Sequence, residues 1–369
     1  MQRRQQQQRR RLRHLARAVG AAAFIEQVEA APEQFTHRGT PMATDKIGEL
    51  RDSTALISDG EALRERMEAD GYLLMRGLLD RPTVQAARLE VLGRLAPILD
   101  TENYPLEAGI VRADAEPNGF DPSVTKDNAP MAACLRAGPL IDFFGLLLED
   151  KVRAFDYTWF RVKKPGFGTA TTPHSDSIYM GRGAQDCYTV WCPFSDVSFE
   201  MGGLMVLEGS YRAARYGEGR RGELMHEYAR TDVDGHCATD AASADAIAAA
   251  QREGRPLTEE ESTAVLSARR AAGMDPGRAE LADAHAVLDA SVAGARWLTS
   301  TFEMGDVLVM SIFTLHASTD NLTQEVRLSS DTRYQRMSEE ADARWVGEAA
   351  KDNVNPHGIQ GVHAKGYHC

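Results

Sequence analysis

No stretch of the 369-residue sequence approaches the roughly 18 to 20 consecutive apolar residues that cross a bilayer, so no membrane association is expected. The basic N-terminus lacks an apolar segment followed by a small-residue cleavage site, so no secretory signal is read there. Cysteine is sparse and odd in number: Cys134, Cys187, Cys192, Cys237 and Cys369 show no C-x-x-C spacing. That argues against a disulfide framework and a zinc ribbon, and fits a reducing cytoplasm. Positive charge is in deficit. With 42 Lys and Arg against 54 Asp and Glu the net charge is −12, which repels phosphate backbones and makes nucleic acid an unexpected partner. No internal repeat is visible, which excludes solenoids and propellers.

The charge that is present is unevenly placed. Residues 1–25 contain no acid, and arginine and glutamine crowd MQRRQQQQRRRLRHLARAVG. Residues 1–41 are therefore expected to be a disordered basic extension, because such tracts bury too little apolar surface to offset the entropy of ordering. A nucleic-acid arm or a targeting segment is the other use of such a stretch, and Met42 is a candidate natural start. Residues 42–369 are expected to form a single domain, and 43% hydrophobic residues are enough for a sizeable core.

Ser58 and Glu61 form an S-x-x-E capping box for a helix that Gly71 closes, and Asp80 caps a second helix, TVQAARLEVLGRLAPIL. GYLLMRGLL reads as a buried strand between them, and GPLIDFFGLLLED as a helix with Pro139 in its first turn. From Arg153 the texture changes to short β-rich runs: RAFDYTWFRVKK, HSDSIYM, DCYTVWCPFSDV, GGLMVLEGS, WLTSTFEMGDVLVMSIFTLHAS and VRLSSDTRYQR. Such runs, separated by turn signals, predict an antiparallel barrel or sandwich. Residues 213–296 are rich in Ala, Glu and Arg, and read as a helical insertion between two strands, serving as a lid or a homo-oligomer contact.

His174-Ser175-Asp176 carries the chemistry. Residues i and i+2 of a strand share a face, which sets an imidazole beside a carboxylate. His316, at the end of a β-patterned run, supplies a second imidazole. Two histidines and one carboxylate make the facial triad of non-haem Fe(II) oxygenases, leaving positions for a chelating 2-oxo acid and for O2. Further on, Arg327 and Ser329 share a strand face, so a guanidinium and a hydroxyl converge on one carboxylate. Lys163 and Thr189 are further candidates for contact with that acid, and Trp191 and Tyr179 are either pocket lining or core.

PHSDSIYMGRGAQDCYTVWCPFSDVSFEMGGLMVLEGSYR, FEMGDVLVMSIFTLHASTDN and VRLSSDTRYQR together resemble the phytanoyl-CoA dioxygenase family, as does DGYLLMRGLL near the start. The resemblance covers about residues 58–212 and 297–336. It implies an α+β protein with a double-stranded β-helix (jelly-roll, cupin-like) core flanked by helices, using Fe(II), 2-oxoglutarate and O2. His174, Asp176 and His316 would be the catalytic metal ligands, and Arg327 with Ser329 would hold the far carboxylate of 2-oxoglutarate. A carboxylate at position 176, where related halogenases carry a small residue, favours hydroxylation, desaturation or cyclisation of a small molecule, with succinate and CO2 released. The Ala/Arg-rich composition suggests bacterial specialised metabolism.

Three other readings stay open: an acyl-CoA or carrier-tethered substrate, a cupin-like metal-dependent isomerase or hydrolase that would not need Arg327, and a non-catalytic barrel. GEGRRG (217–222) matches G-x-G-x-x-G, but no strand directly precedes it, so a loop is expected. Arg212, Arg215, Arg220 and Arg221 would either grip an anionic substrate or pair with acids of the insertion. NPHGIQGVHAKGYHC carries three histidines and a cysteine in a glycine-rich tail, with metal binding as its functional reading and a mobile end as the plainer one.

Overall fold

The computed structural model describes residues 23–115, 122–219, 222–230, 295–347 and 350. The histidine-bearing tail, most of the insertion, Arg220 and Arg221 lie outside the described residues.

Twelve strands are described: β1 (Thr36–His37), β2 (Thr40–Pro41), β3 (Ile47–Glu49), β4 (Tyr72–Met75), β5 (Val152–Ala154), β6 (Trp159–Lys163), β7 (Tyr188–Pro193), β8 (Leu204–Leu207), β9 (Trp297–Thr299), β10 (Val307–Ser311), β11 (His316–Ser318) and β12 (Arg327–Arg336). A major sheet runs β4-β10-β7-β12-β5, with β6 also paired to β12; a minor sheet runs β11-β8-β9-β3. All pairs in the major sheet are antiparallel, and only β3 and β9 run parallel in the minor one. This is the jelly-roll core the family resemblance implied.

Alternation along the major sheet decides what goes where. Leu73, Met75, Phe160, Val162, Val190, Cys192, Val307, Val309, Leu328 and Tyr334 face outward into a core shared with the helices. Their neighbours Tyr72, Leu74, Trp191, Leu308 and Met310 face inward and meet Leu204, Val206 and Leu298 of the minor sheet. On β12 and β6, by contrast, most residues out of phase with the outer core are polar, namely Arg161, Lys163, Arg327, Ser329, Asp331 and Arg333, with Trp159 the aromatic exception. The barrel interior is thus apolar toward one end and charged toward the other.

Residues 23–30 form the first helix, α1, and the helices that cover the outer face are α2 (Gly60–Asp70), α3 (Arg81–Leu95), α4 (Ala129–Arg136) and α5 (Pro139–Leu148). Leu140, Phe143, Phe144, Leu147 and Leu148 recur with helical spacing and are buried, and the Phe144 ring stacks on Tyr334 at 4.5 Å. Each such side chain contributes roughly 1.5 to 3 kcal/mol by leaving water. Ala129–Leu148 has the length and apolarity of a membrane span. It is nevertheless two helices, broken at Ala137 and Gly138, whose backbones are non-helical. Asp80 caps α3 as expected, accepting from the Thr83 amide. The cap of α2 is Asp59 rather than Ser58, because its carboxylate accepts from the Ala62 amide.

Two expectations are corrected. HSDSIYM is not a strand: His174 makes one bridge to His316, and Ser177–Met180 form a short helix, α6. The described part of GEGRRG agrees with the loop expected there: α7 (Ser210–Tyr216) ends before it, capped by Gly217 in the left-handed region, and α8 (Gly222–Arg230) starts at its last glycine. The extension expected over residues 1–41 contains ordered chain from residue 23. Residues 23–30 are helical, and Phe24, Val28 and Phe35 are buried against a core that includes Met205, Leu207 and Trp297. Apolar residues at positions 24, 28 and 35 outweigh the basic composition upstream, because each finds a buried partner.

Candidate metal centre

His174 and His316 are brought together by the backbone. Each donates its amide to the carbonyl of the other, at 3.1 and 3.0 Å, forming a hydrogen-bonded antiparallel pair whose rings lie 4.3 Å apart. Asp176 follows two residues later, where the chain has turned into the right-handed helical region to start α6. The carboxylate reaches the imidazole pair through this turn, not through strand alternation. One ligand atom from each residue lies within 4.8 Å of the others. Asp176 Oδ1 is the oxygen facing the histidines, 3.8 Å from His174 Nε2 and 4.0 Å from His316 Nε2.

The ring orientations are fixed from behind. His174 Nδ1 lies 2.8 Å from the Thr172 carbonyl and His316 Nδ1 3.0 Å from the Thr314 carbonyl. A ring that donates from Nδ1 keeps its lone pair on Nε2, the atom aimed at the common centre. Burial pushes His174 down to about 3, and the neighbouring His316 adds to that, so the ring is neutral and ready to ligate. Burial works to raise Asp176, but the Arg333 guanidinium, the two imidazoles and the Thr189 hydroxyl together hold it below the usual carboxylate range. The donor set of two imidazoles and one ionised carboxylate suits a divalent first-row metal with open positions.

The second half of the site lies on β12 and β7. Arg327 and Ser329 are buried on one face, as their spacing predicted. Arg327 Nε and Nη1, Ser329 Oγ and Trp191 Nε1 are buried polar atoms without a protein partner. Four unmatched atoms able to donate, two of them on the cationic guanidinium, fit a carboxylate. Burial pushes the Arg327 guanidinium down to about 10, with Asp331 opposing and Arg161 adding to the shift. Asp331 itself is engaged by Arg161 at 3.1 Å.

The other candidates separate. Lys163 is buried and donates from Nζ to Ser318 Oγ at 2.7 Å and to the Thr319 carbonyl at 2.6 Å, tying β6 to β11. Thr189 donates to Asp176 Oδ2. Tyr179 is half-buried with its ring edge-on to His174 at 6.1 Å, whereas Trp191 belongs to the inner core. Arg212 pairs with Glu68 and Glu218, and Arg215 with Asp186, so neither points at the metal centre.

Arg333 escaped the sequence reading. Its Nη2 lies 2.8 Å from Asp176 Oδ2, with both side chains 4% exposed. The signal was available: positions 327, 329, 331 and 333 share one face of a strand.

The sequence model of the phytanoyl-CoA dioxygenase (PhyH) family matches residues 67–329. A 1-deoxypentalenic acid 11-beta-hydroxylase from Streptomyces exfoliatus is 26% identical over 180 residues, covering 46% of this chain and 60% of that one. The protein of the same description from Streptomyces arenae is 24% identical over 182 residues, with the same coverage. The matched segment therefore spans about three fifths of the length of these curated relatives, 60% of each. Among solved structures, the non-heme alpha ketoglutarate dependent carbocyclase SnoK from nogalamycin biosynthesis is 15% identical, with a TM-score of 0.46, over 86% of this chain and 93% of that one.

Proposed function

The chain belongs to the phytanoyl-CoA dioxygenase family, and from that premise we propose that it is a 2-oxoglutarate-dependent non-haem Fe(II) dioxygenase acting on a small molecule. His174, Asp176 and His316 hold the iron, and Arg327 with Ser329 holds the far carboxylate of 2-oxoglutarate. The observation that carries the reading is the conjunction of two features in one barrel. A buried triad has its Nε2 atoms and one carboxylate oxygen turned to a common centre, and a nearby set of buried donors lacks protein partners.

Iron, 2-oxoglutarate and O2, when bound, supply an oxidative decarboxylation to succinate and CO2 that drives oxidation of the substrate. The protein's own residues supply position and dryness. The Thr172 and Thr314 carbonyls fix the two imidazoles, and Arg327 gives a two-pronged grip on the cosubstrate. Burial of the triad excludes bulk water from the reacting centre.

For the reaction and substrate class we take hydroxylation, or a related desaturation or cyclisation, of a specialised metabolite. The relatives' description as hydroxylases of 1-deoxypentalenic acid supports a small organic acid in that role. An acyl-CoA substrate has less support, since Arg212 and Arg215, candidates for an anionic tail, are engaged by carboxylates. A metal-dependent isomerase or hydrolase gives no reason for the unpartnered donors around Arg327. We read the chain as one oxygenase domain. Anaerobic Fe(II) with 2-oxoglutarate should give a visible metal-to-ligand charge-transfer band, and candidate acids should stimulate succinate release that a chelator abolishes. Activity that persists without 2-oxoglutarate would overturn the assignment.

A further inference from the structure

The two oxygens of Asp176 have different neighbours. Oδ1 faces both imidazole Nε2 atoms, at 3.8 and 4.0 Å. Oδ2 is turned away and receives two donors, Arg333 Nη2 at 2.8 Å and the Thr189 hydroxyl. Arg333 and Thr189 are directly opposed in the β12–β7 ladder, so the register of the sheet places both donors on the same oxygen. The guanidinium cannot easily leave. Its carbon lies 4.1 Å from the Trp159 ring centroid, its Nη1 donates to the Asp331 carbonyl, and its side chain is 4% exposed.

A carboxylate beside a metal can ligate through one oxygen or through both. With both, two histidines and one aspartate occupy four positions, and a chelating 2-oxo acid fills the remaining two of an octahedron. With one oxygen, a position stays open for a diatomic ligand. We propose that Arg333 and Thr189 clamp Asp176 Oδ2 so that only Oδ1 can reach the metal, which makes Arg333 a positioning residue that keeps the sixth coordination position free. The inference rests on the assignment of iron to His174, Asp176 and His316. It predicts what a merely stabilising ion pair would not: loss of the clamp matters only when 2-oxoglutarate occupies its two positions.

Nitric oxide binding to the Fe(II) protein, read by the S = 3/2 electron paramagnetic resonance signal, separates these cases without turnover. Arg333→Met and Thr189→Val should keep one iron and, without 2-oxoglutarate, bind nitric oxide as the wild type does. With saturating 2-oxoglutarate the Arg333→Met protein should bind nitric oxide about 10- to 100-fold more weakly, and Thr189→Val should change in the same direction by less. Thr189→Val removes one hydroxyl at nearly constant volume, so it reports on the clamp even where Arg333→Met does not fold. Equal nitric oxide binding by wild type and variants in the presence of 2-oxoglutarate overturns the clamp alone. A wild type that takes up no iron, or whose signal survives His174→Ala, overturns the metal assignment and the clamp with it.

Discussion

The guanidinium carbon of Arg327 lies 5.6 Å from the Trp191 ring centroid, and both side chains carry buried N–H groups with no protein acceptor. Native proteins rarely leave such donors unmatched, so the pair defines where an anion belongs. Arg327→Ala should raise the 2-oxoglutarate concentration needed for the charge-transfer band by about 100-fold, on the order of 3 kcal/mol, with iron still bound. Arg327→Lys should fall between, because an ammonium keeps the charge and loses the fork. Trp191→Phe removes one donor and should cost about tenfold or less. Unchanged 2-oxoglutarate affinity in Arg327→Ala would remove its assigned role.

His174 gives the metal-free protein a specific pH dependence. Its folded pKa is pushed down to about 3, whereas an unfolded histidine titrates near ~6.5. Between these values the unfolded chain holds the extra proton, so stability falls as pH drops through that window, by up to ~1.4 kcal/mol per pH unit. Asp176 is shifted down from a lower starting point, so its own loss of stability comes at more acid pH. Urea unfolding of chelator-treated protein between about pH 4.5 and about pH 6.5 should show a shallower slope for His174→Gln than for the wild type. His174→Gln should also lose stoichiometric metal. Parallel slopes would mean that the ring is not held neutral by burial.

How far this site was legible in the sequence depends on the element. His316, Arg327 and Ser329 lie in strongly alternating runs, where period two fixes the face once one residue is known. His174 and Asp176 were paired for the wrong local reason, since a single bridge and the first turn of α6 do the work assigned to a strand. Arg333 was within reach of the same period-two rule, but its partner Thr189 comes from a strand far away in sequence, and pairing across strands is not encoded locally. The helix at residues 23–30 was missed because it directly follows the Gln- and Arg-rich stretch and was grouped with it, while its burial depends on Phe199, far away in the chain.

The N-terminal segment is fastened by one carboxylate. Asp320 is fully buried, and its Oδ2 accepts from Thr36 Oγ1 at 2.9 Å and the Gly39 amide at 2.7 Å, while Oδ1 accepts from the Ala170 amide at 2.8 Å. Ala170 lies in the loop that leads to His174, so the same residue ties the β1–β2 hairpin to the approach of the metal centre. Asp320→Ala would strand three donors and should destabilise by about 3 kcal/mol in urea unfolding. Trypsin should also cut faster after Arg38, in the hairpin turn. Protection equal to that of the wild type would show that the apolar contacts of Phe24 and Phe35 suffice to hold the segment.

Gly71 tests whether the helix layer and the barrel are as closely joined as the geometry requires. It ends α2 with φ of 75°, and its amide donates to the Met67 carbonyl, a conformation L side chains adopt at a cost. Its carbonyl accepts from Thr314 Oγ1 at 2.7 Å and from the Ser311 amide at 3.0 Å, next to the turn that delivers His316. A Cβ at this position would overlap Tyr211 Cβ and lie 2.8 Å from Thr314 Oγ1. Strain and overlap act together, so Gly71→Ala should destabilise by about 3 kcal/mol or more, read by urea unfolding. Because the displaced Thr314 carbonyl orients the His316 ring, the folded fraction should also bind metal more weakly. A Gly71→Ala protein of wild-type stability and metal affinity would show that the contact between α2 and the His316 turn is looser than these distances imply.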